Sequence, residues 1–234
     1  MKYYNNIKYI FFIAIISTFV WYQVYQPKEL LDIYIGIRFL SRPAGYLWFL
    51  SIYLLYTWPC MGIVERKFSE GGIYYLVRSK SHPSILRALN KELMLSIIKM
   101  EVVKLTCYCG CLFLLRPFKS FHIDIHILGA CIRMMVIMYF VCLLQIYFES
   151  LFSSTVAFIL IFMVGLFGIF IGDYIYYHGF SKKIILLASS NLTMHLRYLW
   201  LGINNIIIVM LMLLKILLLE SILYFHLKKK DFIA

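Results

Sequence analysis

Apolar positions along this chain come in long unbroken runs, and polar positions are confined to the gaps between them. Six runs stand out, over 9–25, 46–64, 93–115, 128–148, 155–171 and 200–225. A helix crossing ~30 Å of hydrocarbon at 1.5 Å per residue needs about 20 such residues, so each run has the length of a span. The runs are apolar all round, without the period-two alternation over about ten residues that a membrane β-barrel requires. The expected fold class is therefore all-α, a polytopic membrane protein with about six transmembrane helices. Only a few residues around Glu149, Ser150, Ser153 and Ser154 separate the fourth run from the fifth, which predicts a tight helical hairpin.

Composition strengthens this picture. Of 234 residues, 63% are hydrophobic and 15% charged, against about 45–50% and about 25% in an ordinary soluble domain. Lys2 and Lys8 before the first run imitate a signal peptide, but Trp21, Tyr22, Gln23, Val24 and Tyr25 follow it where a small-x-small cleavage site would stand. The first run is expected to be a retained span, its aromatic end at a membrane interface.

Charge sets the expected orientation. With the N-terminus cytoplasmic, the inner side carries Lys2, Lys8, the group Arg66, Lys67, Arg78, Lys80, Arg87 and Lys91, and Lys228 to Lys230. The outer side carries Lys28, Arg38, Arg42, Arg116, Lys119, Lys182, Lys183 and Arg197. The denser clusters then lie inside, and both termini are placed in the cytoplasm. On this reading the net charge of +12 reflects the positive-inside bias and contact with lipid headgroups, and not nucleic-acid binding.

The cysteines Cys60, Cys107, Cys109, Cys111, Cys131 and Cys142 fall within or at the edges of apolar runs, as small packing residues do. On a helix only Cys107 and Cys111 of the central trio share a face, so no metal site is expected. There is no phosphate-loop motif, no Pro/Gly/Ser-rich linker and no repeat, so the chain reads as a single transmembrane domain over 1–234 with no cofactor of its own.

The most informative polar stretch spans 65–92. Gly71 and Gly72 provide a break, Ile73 to Val77 form a short apolar and aromatic element with basic residues behind it, and His82 before Pro83 reads as a fresh helix start. A short interfacial helix is expected there, between the second and third spans.

In this stretch Glu65, Gly72, Leu76, the turn Ser81-His82-Pro83-Ser84 and Lys91 fall in the order seen in a known pattern. The chain resembles the membrane subunits of ABC-2 type ABC transporters, in particular the small permeases of peptide-antibiotic immunity and export systems in Gram-positive bacteria. In that family an acidic residue ends the second span, then come a Gly, a short coupling helix with Leu, a Ser/Pro turn and a helix opening with Lys. This chain departs from it in carrying Gly71-Gly72-Ile73 where Gly-Thr-Leu is commoner, and in the bulk of Tyr74 and Tyr75. The resemblance implies a permease subunit in a bacterial cell membrane, driven by a separate ATPase subunit that holds ATP and Mg. Its partners would be that ATPase, a second permease copy or a related permease, membrane lipid and a hydrophobic peptide substrate. Glu65, Gly72, Tyr74, Tyr75, Leu76, Arg78 and Lys91 would form the ATPase-coupling region. The segment between the fifth and sixth spans would correspond to the family's external re-entrant hairpin.

Charges inside the apolar runs are costly unless paired, snorkelling or facing water. Lys99, Glu101 and Lys104 open the third span, where Lys can snorkel to the interface. Arg133 either snorkels outward or lines a translocation path. Lys215 and Glu220 on the sixth span are expected to form a loose pair, and Asn204 and Asn205 add polar groups to the same helix. Two readings stand for this set: a lining of the path, or local pairing and hydrogen bonding between helices. Asn191 to Thr193 matches a glycosylation acceptor, a triplet common by chance.

Two other functional classes compete with transport. An intramembrane peptidase needs a Cys nucleophile near a His base, and the first Cys after His82 is Cys107; no H-E-x-x-H is present, so no catalytic residue is expected. A non-transporting immunity protein that sequesters a peptide directly remains compatible with every residue above.

Overall fold

The computed structural model describes residues 7–25, 34, 43–64, 82–115, 125–181, 184, 186 and 189–230. Among the described residues all regular structure is helical. The helices are α1 (Ile7–Tyr25), α2 (Pro43–Cys60), α3 (His82–Leu115), α4 (Ile125–Leu151), α5 (Ser154–His178), α6 (Ser189–Leu192), α7 (His195–Leu201) and α8 (Asn205–Lys230).

Three of these are long and apolar enough to cross a membrane: His126–Leu151, Ser154–His178 and Asn205–His226. They mark the chain as a membrane protein. The other three expected spans correspond to elements of different character. Among the described side chains of α1 the apolar helix covers Ile10–Gln23. α2 is lined with Tyr and Trp, which lower its hydropathy, and α3 carries Lys99, Glu101 and Lys104 along its length.

Local sequence explains most helix ends. Pro43 and Pro83 sit in the first turns of α2 and α3, where a missing N–H costs nothing. Gly179 stops α5 in a left-handed conformation at φ 67°, and Gly202 does the same for α7 at φ 66°. Between α4 and α5 only Phe152 and Ser153 intervene, giving the tight hairpin that the sequence predicts.

Three boundaries differ from expectation. The helix that opens at His82 runs unbroken for 34 residues into the bundle, so α3 joins residues 82–92 and the third span in one rod, while Ile73 to Val77 lie outside the described residues. The fifth span extends past 171 to His178, because Asp173 is neutralised inside the protein and does not end the helix. The sixth begins at Asn205, and Trp200 belongs to the separate helix α7, cut off by Gly202.

α4 forms the centre, packed against α2, α3, α5, α6 and α8, while α1 lies against α2 and α3. Gly165 lets α5 approach α2 closely: a Cβ there would meet the Tyr53 ring at 2.9 Å. The core is mostly apolar, yet the buried charges are gathered inside it and large apolar side chains cover the outer surface. Arg133, Arg197, Lys104, Glu101 and Asp173 are buried, while Phe12, Phe19, Phe167, Ile206, Met210, Leu217 and Phe225 are exposed. That arrangement suits lipid as the solvent, where buried polar groups hold helices together and apolar side chains face outward.

Candidate functional site

Between α5 and α8 the chain folds back into the bundle, and its four-residue helix α6 is buried at every position. Ser189, Ser190, Asn191, Leu192, Thr193 and Met194 are all inside. A buried backbone of this kind must satisfy its polar groups within the protein, and three long helices hold the segment through hydrogen bonds.

The first is α5. Its Gly172 lies so close to the fold-back that a Cβ would collide with the Asn191 side chain. Asn191 donates from Nδ2 to the Gly168 carbonyl at 2.6 Å and accepts at Oδ1 from Arg197 Nη1 at 2.5 Å. Arg197, on α7, also donates from Nη1 to the Ile169 carbonyl at 3.2 Å and from Nη2 to Asp173 Oδ1 at 2.7 Å. The hydroxyl of Tyr46, near the start of α2, donates to the other Asp173 oxygen. This is a charge-assisted network with both ions hydrogen-bonded, the arrangement that makes a buried pair tolerable.

The second is α4. Arg133 donates from Nε to the Leu192 carbonyl at 3.1 Å and from Nη1 to Asn205 Oδ1 at 2.9 Å. Asn205 passes the connection on, donating to the Gly129 carbonyl at 3.3 Å. The third is α8, whose Lys215 donates to the Leu186 carbonyl at 2.7 Å and to Ser189 Oγ at 3.3 Å. Three cations from separate helices thus converge on one short segment.

A second polar cluster surrounds Glu101 on α3. Lys104, one turn on, lies 2.9 Å from Oε1. Tyr34 donates to the same oxygen at 2.5 Å, Tyr56 donates to Oε2, and the Cys131 thiol stands 3.6 Å away. The Lys104 ammonium sits 4.3 Å from the Tyr34 ring centre, a cation–π contact. Burial first, and then the adjacent carboxylate, push the Tyr34 phenol well above its ordinary range, so it remains a donor. The expectation that Lys104 snorkels to the interface is overturned: it is 1% exposed and held by Glu101.

At the opposite end of α4, Glu149 accepts from the backbone N–H groups of Gly62 at 2.8 Å and Val64 at 3.3 Å, just past the end of α2. Gln145 Nε2 adds a contact at 3.4 Å. Gly62 is in a left-handed turn at φ 74°, which a residue with a Cβ would strain.

Of the residues singled out in the sequence, Arg133, Asn205 and Lys215 meet around the fold-back. Asn204 is exposed and its Oδ1 accepts the Ile206 N–H at 3.0 Å, so it serves the start of α8. Lys215 and Glu220 do not pair. Five residues apart, they leave the helix in divergent directions, and Glu220 accepts instead from Asn90 at 2.8 Å and Tyr139 at 3.1 Å. Lys91 is exposed on the first turns of α3. Glu65, Gly72, Tyr74, Tyr75, Leu76 and Arg78 lie outside the described residues. Asn191 is fully buried and bonded, which removes it as a glycosylation acceptor. Asp173, Arg197, Tyr46 and Glu149 were not among the expected site residues; Asp173 lies two residues past the fifth apolar run, in the part of α5 that extends beyond it.

All six cysteines are free. Among the described residues no three His, Cys, Asp or Glu side chains gather as a metal site would require. The polar groups above bind one another and fix helix positions. No protein-family model, curated protein or solved structure matches the chain.

Proposed function

We propose that this chain is the membrane-spanning permease subunit of an ABC-2-like transporter, driven by a separate ATPase subunit that binds ATP and Mg. In this reading α1 to α5 and α8 all cross a bacterial cell membrane with both termini cytoplasmic, and two copies, or one copy and a related permease, form the path. The substrate class is a hydrophobic, amphipathic peptide of the bacteriocin or lantibiotic kind, moved in export or immunity.

The observation that supports the reading best is α3. Its 34 residues make a rod of ~51 Å at 1.5 Å per residue, against ~30 Å of hydrocarbon. About 20 Å therefore stands beyond the apolar layer, directly after the segment 65–81. A push on that segment by a closing ATPase would arrive at the base of the rod. Its middle is tied to α2 through Glu101 and Tyr56, so displacement of the base would tilt neighbouring helices as a body.

Tyr74 and Tyr75 are the test. If they fill a groove on the ATPase, truncating an aromatic anchor costs about 2 kcal/mol or more, which weakens assembly roughly thirtyfold at 1.4 kcal/mol per decade. In Tyr74→Ala/Tyr75→Ala, with membrane insertion confirmed, co-purification with the ATPase encoded beside this gene is expected to collapse, together with peptide resistance or export. Unchanged association and unchanged function would favour a sequestering immunity protein.

Orientation has its own check. Cysteine-accessibility labelling should find position Arg78 reactive from the cytoplasm and position Lys182 reactive from outside. The opposite pattern would turn the bundle over and remove the coupling role of 65–92.

A further inference from the structure

Three apolar stripes meet between α3, α4 and α8 and enclose a groove of about 410 Å³, inside the usual ligand-site range of about 300–1,000 Å³. The stripes are Met94 and Ile98 on α3, Ile132 and Val136 on α4, and Leu213 and Ile216 on α8. Residues three or four apart share a helix face, and at that spacing each stripe continues to one polar residue: Asn90, Tyr139 and Glu220. Hydrogen bonds place all three at the same end of the groove. Asn90 Nδ2 donates to Glu220 Oε1 at 2.8 Å, and the hydroxyl of Tyr139, itself a wall of the groove, donates to the same oxygen at 3.1 Å.

That end carries a charge without its complement. Both donors are neutral, so among the described residues Glu220 has no cationic partner, although its helix is long and apolar enough to cross a membrane. Lys215 on the same helix is held elsewhere, by the Leu186 carbonyl and Ser189. Asn90 Oδ1, in the amide whose nitrogen touches the carboxylate, is buried and has no donor among the described residues. An orphan acceptor and a carboxylate therefore stand side by side, where an unpaired charge is costly.

We infer that the groove binds a lipophilic monocation, a primary alkylammonium whose head donates to Glu220 and Asn90 Oδ1 and whose chain lies along Ile216, Met94 and Ile132. Charge complementarity selects this occupant. An ammonium brings three donors and one positive charge, enough for the orphan amide oxygen and the carboxylate together. A fatty acid would set a second carboxylate against Glu220, and an ethanolamine phospholipid would bring its phosphate there. Length agrees as well: from Glu220 back to Leu213 α8 spans ~10 Å at 1.5 Å per residue, room for an alkyl chain of medium length. The site asks nothing of the transport reading.

The experiment is equilibrium binding of radiolabelled octylammonium to the full chain in phosphatidylcholine nanodiscs, with empty nanodiscs subtracted to remove partitioning into lipid. Octylammonium is cationic at neutral pH, as a lysine ammonium is. Saturable binding is expected, with unlabelled octanol and octanoate competing poorly; no saturable binding, or equal competition by either, would overturn the proposal. Glu220→Gln keeps an acceptor for Asn90 and Tyr139 and removes only the charge. Its affinity should fall about 10-fold to 100-fold, the worth of a hydrogen bond to a charged group, and an unchanged affinity would overturn the role of the carboxylate. Ile132→Trp, at an exposed position, fills the apolar part with Glu220 intact and should also abolish binding. Retention in that variant, or equal competition by methylammonium, would show that only a head is held and overturn the groove. Loss of binding when phosphatidylethanolamine is added to the nanodiscs would make a lipid the occupant. A wild-type dimer that Ile132→Trp dissociates would make it a second copy of the chain, and either result overturns the assignment.

Discussion

Replacing Arg197 with alanine is expected to destabilise the folded bundle by about 3–5 kcal/mol, the usual cost of removing one partner from a buried ion pair. Arg197 is fully buried, and its loss takes the ion-pair partner from the buried Asp173 carboxylate, whose second oxygen accepts from the Tyr46 hydroxyl. It also removes the hydrogen bonds that Arg197 donates to the Asn191 side chain and to the Ile169 carbonyl. The double variant Asp173→Leu/Arg197→Leu should recover a large part of the loss, since replacing both ions with apolar groups removes the stranded charge. Thermal unfolding in detergent, followed by circular dichroism, measures both. Equal stability of wild type and Arg197→Ala would mean that this network does not hold the fold-back in place.

Glu101→Leu is expected to act with similar force, about 3–5 kcal/mol, by leaving Lys104 buried without its counter-ion. Here the informative comparison is Glu101→Gln, which keeps an acceptor for Tyr34 and Tyr56 but removes the charge. If the hydroxyl bonds dominate, the Gln variant stays close to wild type. If the ion pair dominates, it falls with the Leu variant. Lys104→Met combined with Glu101→Leu should be less damaging than Glu101→Leu alone, and the same unfolding measurement decides. A more damaging double variant would refute the account of Lys104 as a cation held in place by Glu101.

The helical elements could be read from the sequence because lipid-facing helices advertise themselves by uninterrupted apolar residues. The hairpin at Ser153 and the helix start at His82 could be read from residues whose backbone preferences are local. The polar interior was only half visible. Arg133, Asn205 and Lys215 drew notice because charge or amide groups in an apolar run are costly, yet their partners are backbone carbonyls, which leave no mark in a sequence. Lys215 and Glu220 looked like a pair because they are neighbours in the chain, and each found a better partner on another element. Asp173 and Arg197 are separated by a chain reversal, and helical periodicity carries no information across such a gap. The burial of Lys104 was hidden for the same reason: Tyr34 and Tyr56, which with Glu101 surround its ammonium group, come from other segments.

The fold-back around α6 also bears on how the protein is made. Its Leu192 carbonyl is taken by Arg133 and its Asn191 amide reaches Gly168, both on helices synthesised before it. The Leu186 carbonyl is taken by Lys215, on a helix synthesised after it. A nascent chain that has delivered α5 to the membrane therefore holds a segment whose seat is still open on one side, and Arg133 still lacks Asn205. Entry of α8 closes both vacancies in a single event. Completion of packing is thus tied to the late stages of translation, and a chain stalled before Asn205 lacks both the Lys215 donor to the Leu186 carbonyl and the Asn205 acceptor for Arg133.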